Sequence, residues 1–437
     1  MQATAIILAA GLGTRMRSAL PKACHPIAGQ PMLRHLIESV AAVFERIVVV
    51  VGPDMPQVAA LAAPHPVVIQ HERLGTAHAA LQAVDRFGGG DVAVLYADNP
   101  LVTPETLRAL RDRRGRGDVG LALLAMRPPD PGRYGRVIGA DGLVERVVEW
   151  ADATAAERAE GLCNAGVLCG SAARMAAWLR AVRNDNAKRE YYLTDVVALA
   201  RADGERVAAV EAPFEELRGI NSRAELAEAE AVVQRRLRAA AMAAGVTMTA
   251  PETVFLATDT RFAPDVTIGP NVVFGTGVTV EGGADIHAFS HLAGCHVGAG
   301  AVVGPFARLR PGTRVGAGAH VGNFVELKNT LLGDGAKANH LSYLGDAEVG
   351  ARSNIGAGTI TCNYDGFAKH RTRVGAGVFV GSDAVLVAPV SIGDGAFIAA
   401  GSVITEDVEG DAMAFGRARQ ESKPGRAASF RARRGTR

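Results

Sequence analysis

The chain has few cysteines, almost no net charge and no long apolar run. Its five cysteines are scattered without a C-x-x-C pair, which excludes a disulfide framework and favours the cytoplasm as its compartment. A formal net charge of +2 over 437 residues implies no global electrostatic field. No stretch approaches the roughly 20 apolar residues of a membrane span. We therefore expect neither a disulfide scaffold nor a membrane protein.

The first apolar run, residues 6–10, is too short for the core of a signal peptide and lacks a basic start. It is better interpreted as a buried first strand. The predicted strands are 5–10, 46–51, 67–70, 92–96 and 121–126, and the predicted helices include 32–43, 76–84 and 104–113. This alternation predicts an α/β, Rossmann-like domain over residues 1–221, with a mainly parallel sheet covered on both faces.

Residues 222–243 are typical of one helix. Ser222 can cap its start, with Glu225 three residues later, and its acids come early while its arginines come late. At 1.5 Å per residue this helix would span roughly 33 Å. With Gly245 at its end, the segment 222–244 is predicted to be a helical arm between two domains.

An aliphatic residue recurs at nearly every sixth position from Ile268 to Ile404, usually followed by Gly or Ala. The ladder comprises Ile268, Phe274, Val280, Ile286, Leu292, Val297, Val303, Leu309, Val315, Val321, Leu327, Leu332, Ala338, Leu344, Val349, Ile355, Val374, Val380, Leu386, Ile392, Ile398 and Ile404. A hexapeptide β-helix produces this spacing, whereas helices and ordinary strands do not. We therefore predict a parallel β-helix within residues 245–437.

Two features interrupt this regularity. Residues 361–371 break the rhythm and are predicted to form a loop outside the rod, where binding residues tend to lie. Arg310 and Lys328 replace the usual small residue one coil apart, so their charges should stack about 4.8 Å apart. Such a pair needs an anion between its members. Glu326 could neutralise the pair; we prefer a phosphorylated ligand, because Asn339 and His340 also gather nearby.

Two further clusters, one of His and Cys and one of basic residues, could bind a ligand or could have only a structural role. His287, His291, Cys295 and His296 suggest a metal cluster, but strand alternation and corners would point them in different directions, so we do not predict zinc. The last 21 residues hold the basic residues Arg417, Arg419, Lys423, Arg426, Arg431, Arg433, Arg434 and Arg437 against Glu421 alone. Such a run is usually a solvated tail, and no fold signature supports nucleic-acid binding.

The first predicted strand leads directly into a glycine turn at residues 11–16. Glycines there let backbone N–H groups approach a polyphosphate, and Arg15 can neutralise its charge. The turn is neither a Walker A loop nor a dinucleotide fingerprint. The longer string L-A-A-G-x-G-T-R-M, followed by Leu20-Pro21-Lys22, resembles the signature of sugar-nucleotide pyrophosphorylases.

Other segments resemble the same family in the same order, including Tyr96-Ala97-Asp98 and Arg73-Leu74-Gly75-Thr76. The resemblance implies that Arg15 and Lys22 are catalytic and that Asp98 and Asn221 bind Mg²⁺, which needs few protein ligands. It implies contacts to UTP or sugar by Leu8, Ala9, Ala10, Gly11, Gln70, Gly75, Thr76, Tyr96, Ala97, Gly135, Glu149 and Asn164. Leu12, Ala97 and Ala165 depart from the family pattern in this site.

Nearly the whole chain resembles the bacterial bifunctional N-acetylglucosamine-1-phosphate uridylyltransferase/glucosamine-1-phosphate acetyltransferases. In the rod the resemblance lies in residues 304–310, 320–328, 339–346 and 354–366. It implies a left-handed coil, a homotrimer, and the substrates glucosamine 1-phosphate, acetyl-CoA and UTP. It implies that His340 is the general base and that Arg310, Lys328, Tyr343 and Asn354 bind glucosamine 1-phosphate, with Lys369 at a matching basic position. Acetyl-CoA contacts are implied for Ala357, Asn363, Tyr364, Ser382, Ala400 and Arg417.

Two other functions stay open at this point. A glucose-1-phosphate adenylyltransferase also carries a β-helix, but it would not turn over acetyl-CoA or need His340. A non-catalytic subunit could keep both folds as an assembly scaffold. The joint presence of Lys22, Asp98, Asn221, His340 and Tyr343 argues against a scaffold.

Overall fold

The computed structural model describes residues 2–434, so Arg437 of the basic tail lies outside the described residues. The chain forms two compact units, one up to Arg235 and one from Arg236. Among the described residues, no helix has both the length and the apolar character needed to cross a bilayer.

The first unit contains eleven strands and most of the helices. The strands are β1 (Thr4–Leu8), β2 (Pro26–Ile27), β3 (Gln30–Pro31), β4 (Arg46–Val51), β5 (Val67–Ile69), β6 (Asp91–Tyr96), β7 (Leu121–Met126), β8 (Arg136–Ala140), β9 (Leu143–Val148), β10 (Cys163–Ser171) and β11 (Val207–Glu211). The helices are α1 (Met32–Ala41), α2 (Pro56–Ala62), α3 (Thr76–Leu81), α4 (Pro104–Gly115), α5 (Ala155–Arg158), α6 (Ala172–Ala181), α7 (Asp195–Ala202) and α8 (Phe214–Leu217), followed by α9 (Arg223–Ala243).

Nine of these strands form one sheet in the order β5-β4-β1-β6-β10-β7-β11-β9-β8. Strands β5, β4, β1 and β6 pair in parallel, and apolar clusters cover both faces of the sheet. The expected α/β fold and the five predicted strands are confirmed. However, β10 runs antiparallel between β6 and β7, and β9 runs antiparallel to β11 and β8. The sheet is therefore more mixed than expected.

The β8–β9 hairpin, which lies outside the predicted strands, has a local cause. Asp141 and Gly142 join the two strands with φ angles of 53° and 74°. Positive φ at both central residues is the two-residue turn whose twist matches an antiparallel hairpin, and Asp-Gly is a preferred sequence for it. The sequence therefore carried a signal for this hairpin, although the charged residues Glu145 and Arg146 interrupt the apolar run of β9.

Helix α9 begins as predicted. The Ser222 hydroxyl accepts a hydrogen bond from the Glu225 N–H at 3.2 Å, and the Glu225 carboxylate accepts one from the Asn221 N–H at 2.7 Å. Early in the helix, the Glu230 carboxylate accepts from the Ala28 N–H of the first unit. Near its end, Leu237 and Ala241 pack against the core of the second unit. The boundary between the units therefore falls inside the helix.

The second unit is a left-handed parallel β-helix with three faces. The first face holds Thr247–Met248, Thr267–Ile268, Asp285–Ile286, Val302–Val303, His320–Asn323, Lys337–His340, Asn354–Ile355, Phe379–Val380, Phe397–Ile398 and Met413–Ala414. The second face holds Arg261–Phe262, Thr279–Val280, His296–Val297, Arg314–Val315, Leu331–Leu332, Ala347–Val349, Thr372–Val374 and Val390–Ile392. The third face holds Val273–Phe274, His291–Leu292, Arg308–Leu309, Glu326–Lys328, Tyr343–Gly345, Ile360–Cys362, Val385–Val387 and Val403–Ile404.

Every member of the predicted aliphatic ladder is buried in this rod. The rod also extends further toward the N terminus than the ladder, because Met248 and Phe262 begin its first coils. The predicted loop 361–371 is partly wrong: Thr361 lies in a strand and points inward. Its hydroxyl bonds to the Gly345 N–H at 2.8 Å, so a polar side chain is satisfied at a position that a search for aliphatics rejects.

The basic tail follows the last coil. Residues 417–434 are all exposed, and Arg426–Arg434 forms a short helix, α10. The Arg434 guanidinium lies over the Phe430 ring, 5.0 Å from its centroid.

Two candidate active sites

Four polar side chains meet at the carboxyl ends of β1 and β6. The Lys22 ammonium contacts the Asp98 carboxylate at 2.6 Å and the Asn221 side-chain oxygen at 3.0 Å. The Arg15 guanidinium donates to the same Asn221 oxygen at 2.8 Å. The structure therefore brings together both predicted catalytic cations and both predicted Mg²⁺ ligands from three segments of the chain that are distant in sequence.

This arrangement fits a divalent cation. Oδ2 of Asp98 and Oδ1 of Asn221 already converge on one positive group, the Lys22 ammonium. Mg²⁺ is usually held by one or two protein oxygens, with waters and substrate phosphates completing its octahedron. Within residues 2–434, no group of three or more His, Cys, Asp or Glu is placed to hold a metal ion. The second oxygen at the predicted Mg²⁺ site is the side-chain oxygen of Asn221.

The predicted nucleotide residues line the same edge. The Ala97 N–H donates to the Leu8 carbonyl at 3.0 Å, which places the end of β6 beside residues 8–11. Gln70 is 3 % exposed and its amide donates to the Gly75 carbonyl at 3.2 Å. Gly75 has a φ of 118°, and a Cβ there would come within 2.5 Å of the Tyr191 carbonyl, so only glycine fits.

The remaining predicted residues of this unit, Gly135, Glu149 and Asn164, form a second set of contacts. The Asn164 N–H donates to the Gly135 carbonyl at 2.8 Å, and a Cβ on Gly135 would lie 3.5 Å from the Glu149 carboxylate. Burial raises the pKa of Glu149, opposed by a hydrogen bond from the Thr194 hydroxyl. Burial likewise raises the pKa of the Tyr96 phenol. Both groups are therefore held toward their neutral, proton-donating forms.

Asp195 gives this unit a pH-dependent stability. Burial and then the charges of Glu149 and Asp152 raise its pKa to about 6. The carboxyl of an unfolded Asp titrates near 4, so the folded state binds the Asp195 proton more tightly than the unfolded state does. The stabilisation from this proton is therefore full below about pH 4 and is lost as the pH rises through about 6. We expect Asp195→Asn to stabilise the unit by about 1 kcal/mol at pH 7.5, after allowance for solvent screening, and not at pH 3.5.

Urea unfolding followed by tryptophan fluorescence measures this effect, because Trp150 and Trp178 both lie in the first unit. Asp112→Asn, at an exposed position, is the matched control. A gain of equal size at both pH values would contradict the expectation.

The stacked cations of the rod lie in the predicted register. Strand pairing sets Leu309 beside Leu327, and the Arg310 N–H donates to the Leu327 carbonyl at 2.8 Å. The Glu326 carboxylate lies 2.8 Å from the Arg310 guanidinium. Glu326 therefore neutralises Arg310, which is one of the two cations of the stacked pair. Lys328 has a different partner, the Asp346 carboxylate at 3.9 Å.

A second lysine adds positive charge at this point. The adjacent Lys328 ammonium lowers the pKa of Lys369, because two like charges disfavour each other. The Asp346 carboxylate near Lys328 is also bound by the Asn363 amide at 2.6 Å. Tyr343 and Asn363 both border Gly345, where a Cβ would come within 2.8 Å of each side chain. Three cationic side chains and two polar ones are thus gathered on neighbouring coils.

His340 lies at the end of a strand on the first face and is exposed. Its Nδ1 is 2.7 Å from the Asn323 side-chain oxygen. Asn354 follows on the next coil of the same face, in register with Lys337. The imidazole is therefore accessible to a substrate, and only one of its nitrogens is engaged.

The predicted acetyl-CoA residues follow one edge of the rod. The Asp383 N–H donates to the Ala357 carbonyl at 2.7 Å, and the Gly401 N–H donates to the Ser382 carbonyl at 2.8 Å. Arg417 borders Gly401 one coil later. Ser382 and Ala400 are both exposed along this edge. Tyr364 lies in the excursion, where its hydroxyl donates to the Gly366 carbonyl at 2.6 Å.

The suspected metal cluster separates in the structure. His287 bonds to Asp285 and His296 bonds to Glu281, while Cys295 is buried. All five cysteines are free.

Arg73, from the predicted segment 73–76, donates to the Ala10 carbonyl at 2.8 Å. Two other residues at the sites were not predicted from the sequence: Thr194, which donates to Glu149, and Asn323, which lies beside His340. Neither of these two has a local signal, because each acts across the fold. Glu225 is different: its place in the capping pattern could have indicated that it also anchors Asn221.

Comparison with known proteins identifies both halves. Residues 5–189 match the MobA-like NTP transferase domain, and residues 294–329 and 371–406 match the bacterial transferase hexapeptide (six repeats). The bifunctional protein GlmU of Acidiphilium cryptum is 67 % identical over 437 residues, covering 100 % of both chains. GlmU of Gluconacetobacter diazotrophicus is 70 % identical over 434 residues, covering 98 % of this chain and 94 % of that protein.

Solved structures give a more distant similarity. UDP-glucose pyrophosphorylase complexed with UDP-glucose is 17 % identical with a TM-score of 0.46, and the match covers 54 % of this chain and 100 % of that one. The full-length relatives therefore carry the assignment. The chain is a transferase with a nucleotidyltransferase half and a hexapeptide acetyltransferase half, and it belongs to the family of bifunctional GlmU proteins.

Proposed function

We propose that the two sites described above carry the two activities of this enzyme, acetyl transfer in residues 245–437 and uridylyl transfer in residues 1–221. The enzyme makes UDP-N-acetylglucosamine: it acetylates glucosamine 1-phosphate and then joins the product to UTP. The observation that best supports the assignment of sites is the convergence of Arg15, Lys22, Asp98 and Asn221. UDP-N-acetylglucosamine serves cell-wall synthesis.

Acetyl transfer needs a base and a phosphate clamp. Arg310, Lys328 and Lys369 bind the phosphate of glucosamine 1-phosphate, while Tyr343 and Asn354 contact the sugar and its amine. His340 Nε2 accepts a proton from the substrate ammonium, since imidazole titrates near neutral pH. The freed nitrogen attacks the thioester carbonyl, the C–S bond breaks, and the thiol of CoA leaves with a proton. Acetyl-CoA is bound by Ala357, Asn363, Tyr364, Ser382, Ala400 and Arg417.

Uridylyl transfer depends on positioning and charge. A phosphate oxygen of N-acetylglucosamine 1-phosphate attacks the α-phosphorus of UTP, and the bond to pyrophosphate breaks. Arg15 and Lys22 offset charge on the phosphates, and Gln70 and Gly75 hold the uracil. Asp98 and Asn221 would hold Mg²⁺, which supplies charge neutralisation on the phosphate oxygens when bound. Glu149 and Asn164 bind the sugar and ribose.

One experiment tests the proposal as a whole. Purified protein is incubated with glucosamine 1-phosphate, acetyl-CoA, UTP and Mg²⁺, and free thiol and pyrophosphate are followed separately. We expect thiol release that needs no UTP, and pyrophosphate release that needs either acetyl-CoA or added N-acetylglucosamine 1-phosphate. Pyrophosphate release with ATP and glucose 1-phosphate, without thiol release, would instead indicate the adenylyltransferase alternative.

We also propose that the rods associate as a homotrimer in the cytoplasm. Phe289, Phe306 and Phe324 stack along one corner, with centroids 5.0 and 5.2 Å apart, and Leu341 extends this apolar column by one coil. All four are exposed and have φ between 52° and 60°, a strained conformation for bulky residues. An exposed apolar column of this kind is typical of a surface covered by another subunit.

A charge in this column should dissociate the trimer. We expect Phe306→Glu to shift the protein from trimer to monomer, since three symmetry-related carboxylates would be buried together. Sedimentation velocity measures the outcome at a series of concentrations. Leu331→Glu, on the second face of the rod, is the matched control and should stay trimeric. A trimeric Phe306→Glu protein would place the interface elsewhere.

A further inference from the structure

We propose that Asn323 is a positioning residue for His340, holding its imidazole in the tautomer whose Nε2 is free to accept a proton. The proposal rests on the acetyl-transfer function assigned above. The Asn323 side-chain oxygen lies 2.7 Å from His340 Nδ1. The two residues occupy equivalent positions on consecutive coils, because strand pairing sets Asn323 beside His340.

The rod holds this pair by its backbone as well. The next residue, Leu341, turns in the left-handed region with φ of 52°, and its N–H donates to the Asn323 carbonyl at 3.0 Å. The His340 carbonyl accepts the Ser342 hydroxyl at 2.9 Å. Two bonds from Asn323, one through its main chain and one through its side chain, therefore fix the corner that carries the base. The His340 ring is therefore already oriented before the substrate binds, so little conformational entropy is lost on binding.

The chemistry of the contact selects the tautomer. An amide oxygen only accepts, so a bond to Nδ1 requires the ring proton on Nδ1 and leaves the lone pair on Nε2. If the amide were turned by 180°, its NH₂ would donate to Nδ1 and the proton would move to Nε2, which could not then act as the base. The bond is therefore useful for catalysis in only one of the two amide orientations.

The surroundings favour a neutral partner over a charged one. His320 and Lys337 flank the pair on the same two strands, and the pKa of His320 is lowered by burial and then by the charges of His287, Lys337 and His340. A carboxylate at position 323 would attract these cations and hold a proton on the ring. An amide orients the imidazole without that attraction.

Two substitutions in the full-length enzyme test separately the hydrogen bond that orients the imidazole and the neutral charge of the Asn323 side chain. Asn323→Ala removes the acceptor, and we expect kcat for acetyl transfer to fall about 10- to 100-fold, the usual loss when an orienting partner of a histidine is removed. KM for glucosamine 1-phosphate should change less than about twofold, because no phosphate contact is lost. Asn323→Asp keeps an acceptor; it should retain most of kcat at high pH but move the acidic limb of the pH–rate profile upward.

The tautomer is read directly from ¹⁵N NMR of histidine-labelled protein, with His340→Gln to assign the signal. We expect wild type and Asn323→Asp to carry the proton on Nδ1 and Asn323→Ala to show a mixture. A proton on Nε2 in the wild type, or an Asn323→Ala enzyme with unchanged tautomer and kcat, would overturn the proposal. Wild-type acetylation by His340→Ala would instead overturn the underlying function. Uridylyl transfer should be unchanged throughout.

Discussion

His340→Ala should lose acetyl transfer about 10²- to 10⁴-fold, the usual contribution of a general base. Without the imidazole, glucosamine 1-phosphate keeps its ammonium proton, and its nitrogen has no lone pair with which to attack the thioester. Uridylyl transfer should be unaffected, because Arg15, Lys22, Asp98 and Asn221 all lie in the other unit. Thiol release from acetyl-CoA and pyrophosphate release from UTP measure the two activities in the same preparation.

A matched control is available on the same rod. His291 is also exposed, at the start of a strand on the third face, and has no proposed role. His291→Ala should therefore acetylate at the wild-type rate. Should His340→Ala acetylate equally fast, the assignment of the base would be refuted.

Asp98→Ala should give the opposite pattern, with uridylyl transfer reduced roughly 10²- to 10³-fold and acetyl transfer intact. The carboxylate is the one charged oxygen donor of the proposed Mg²⁺ site, and metal stabilisation of phosphate charge contributes several kcal/mol. The substitution also leaves the Lys22 ammonium without its 2.6 Å partner. Pyrophosphate release at increasing Mg²⁺ measures the loss, and Asp98→Ala should need far more Mg²⁺ than wild type.

Asp118→Ala is the control for this second substitution. Asp118 is an exposed carboxylate that pairs with Arg113 in the same unit, outside the proposed site. It should leave both activities unchanged. Equal loss of acetyl and uridylyl transfer in Asp98→Ala would undermine the assignment of one activity to each unit.

The β-helix could be predicted because its signal is one-dimensional. Each hexad must bury one aliphatic residue and turn one corner, so the period is written directly along the chain. Thr361 shows where this fails: its burial depends on a hydrogen bond to Gly345 on the preceding coil. Composition at a single position cannot reveal a partner 16 residues away.

The sheet of the first unit shows a similar division. The parallel strands β1, β4 and β6 are continuous apolar runs, which are buried on both faces and easily read. Strand β9 contains Glu145 and Arg146, both exposed, and so has no such run. Strand β9 lies beside β11 because the two strands pair in the folded sheet. They are distant in the chain, so no local sequence pattern indicates this pairing.

For the sites, resemblance to known motifs supplied the residues and the fold supplied their partners. Lys22, Asp98 and Asn221 are individually unremarkable polar residues, and their convergence within 3.0 Å exists only once three segments are brought to one sheet edge. Likewise, Asn323 gains a role from the coil that sets it beside His340. Local motifs can identify the chemical groups, but not what each group touches.

The sequence by itself determined the periodic core of the rod, the alternating first domain, the helix between them and the residue types of both sites. These follow from local spacing, burial and backbone preference. The tertiary structure decided the reversed strands, the extent of the excursion, and the pairing of Lys328 with Asp346 and of His340 with Asn323. Those are contacts between segments distant in the chain, so they depend on how the folded backbone brings the segments together.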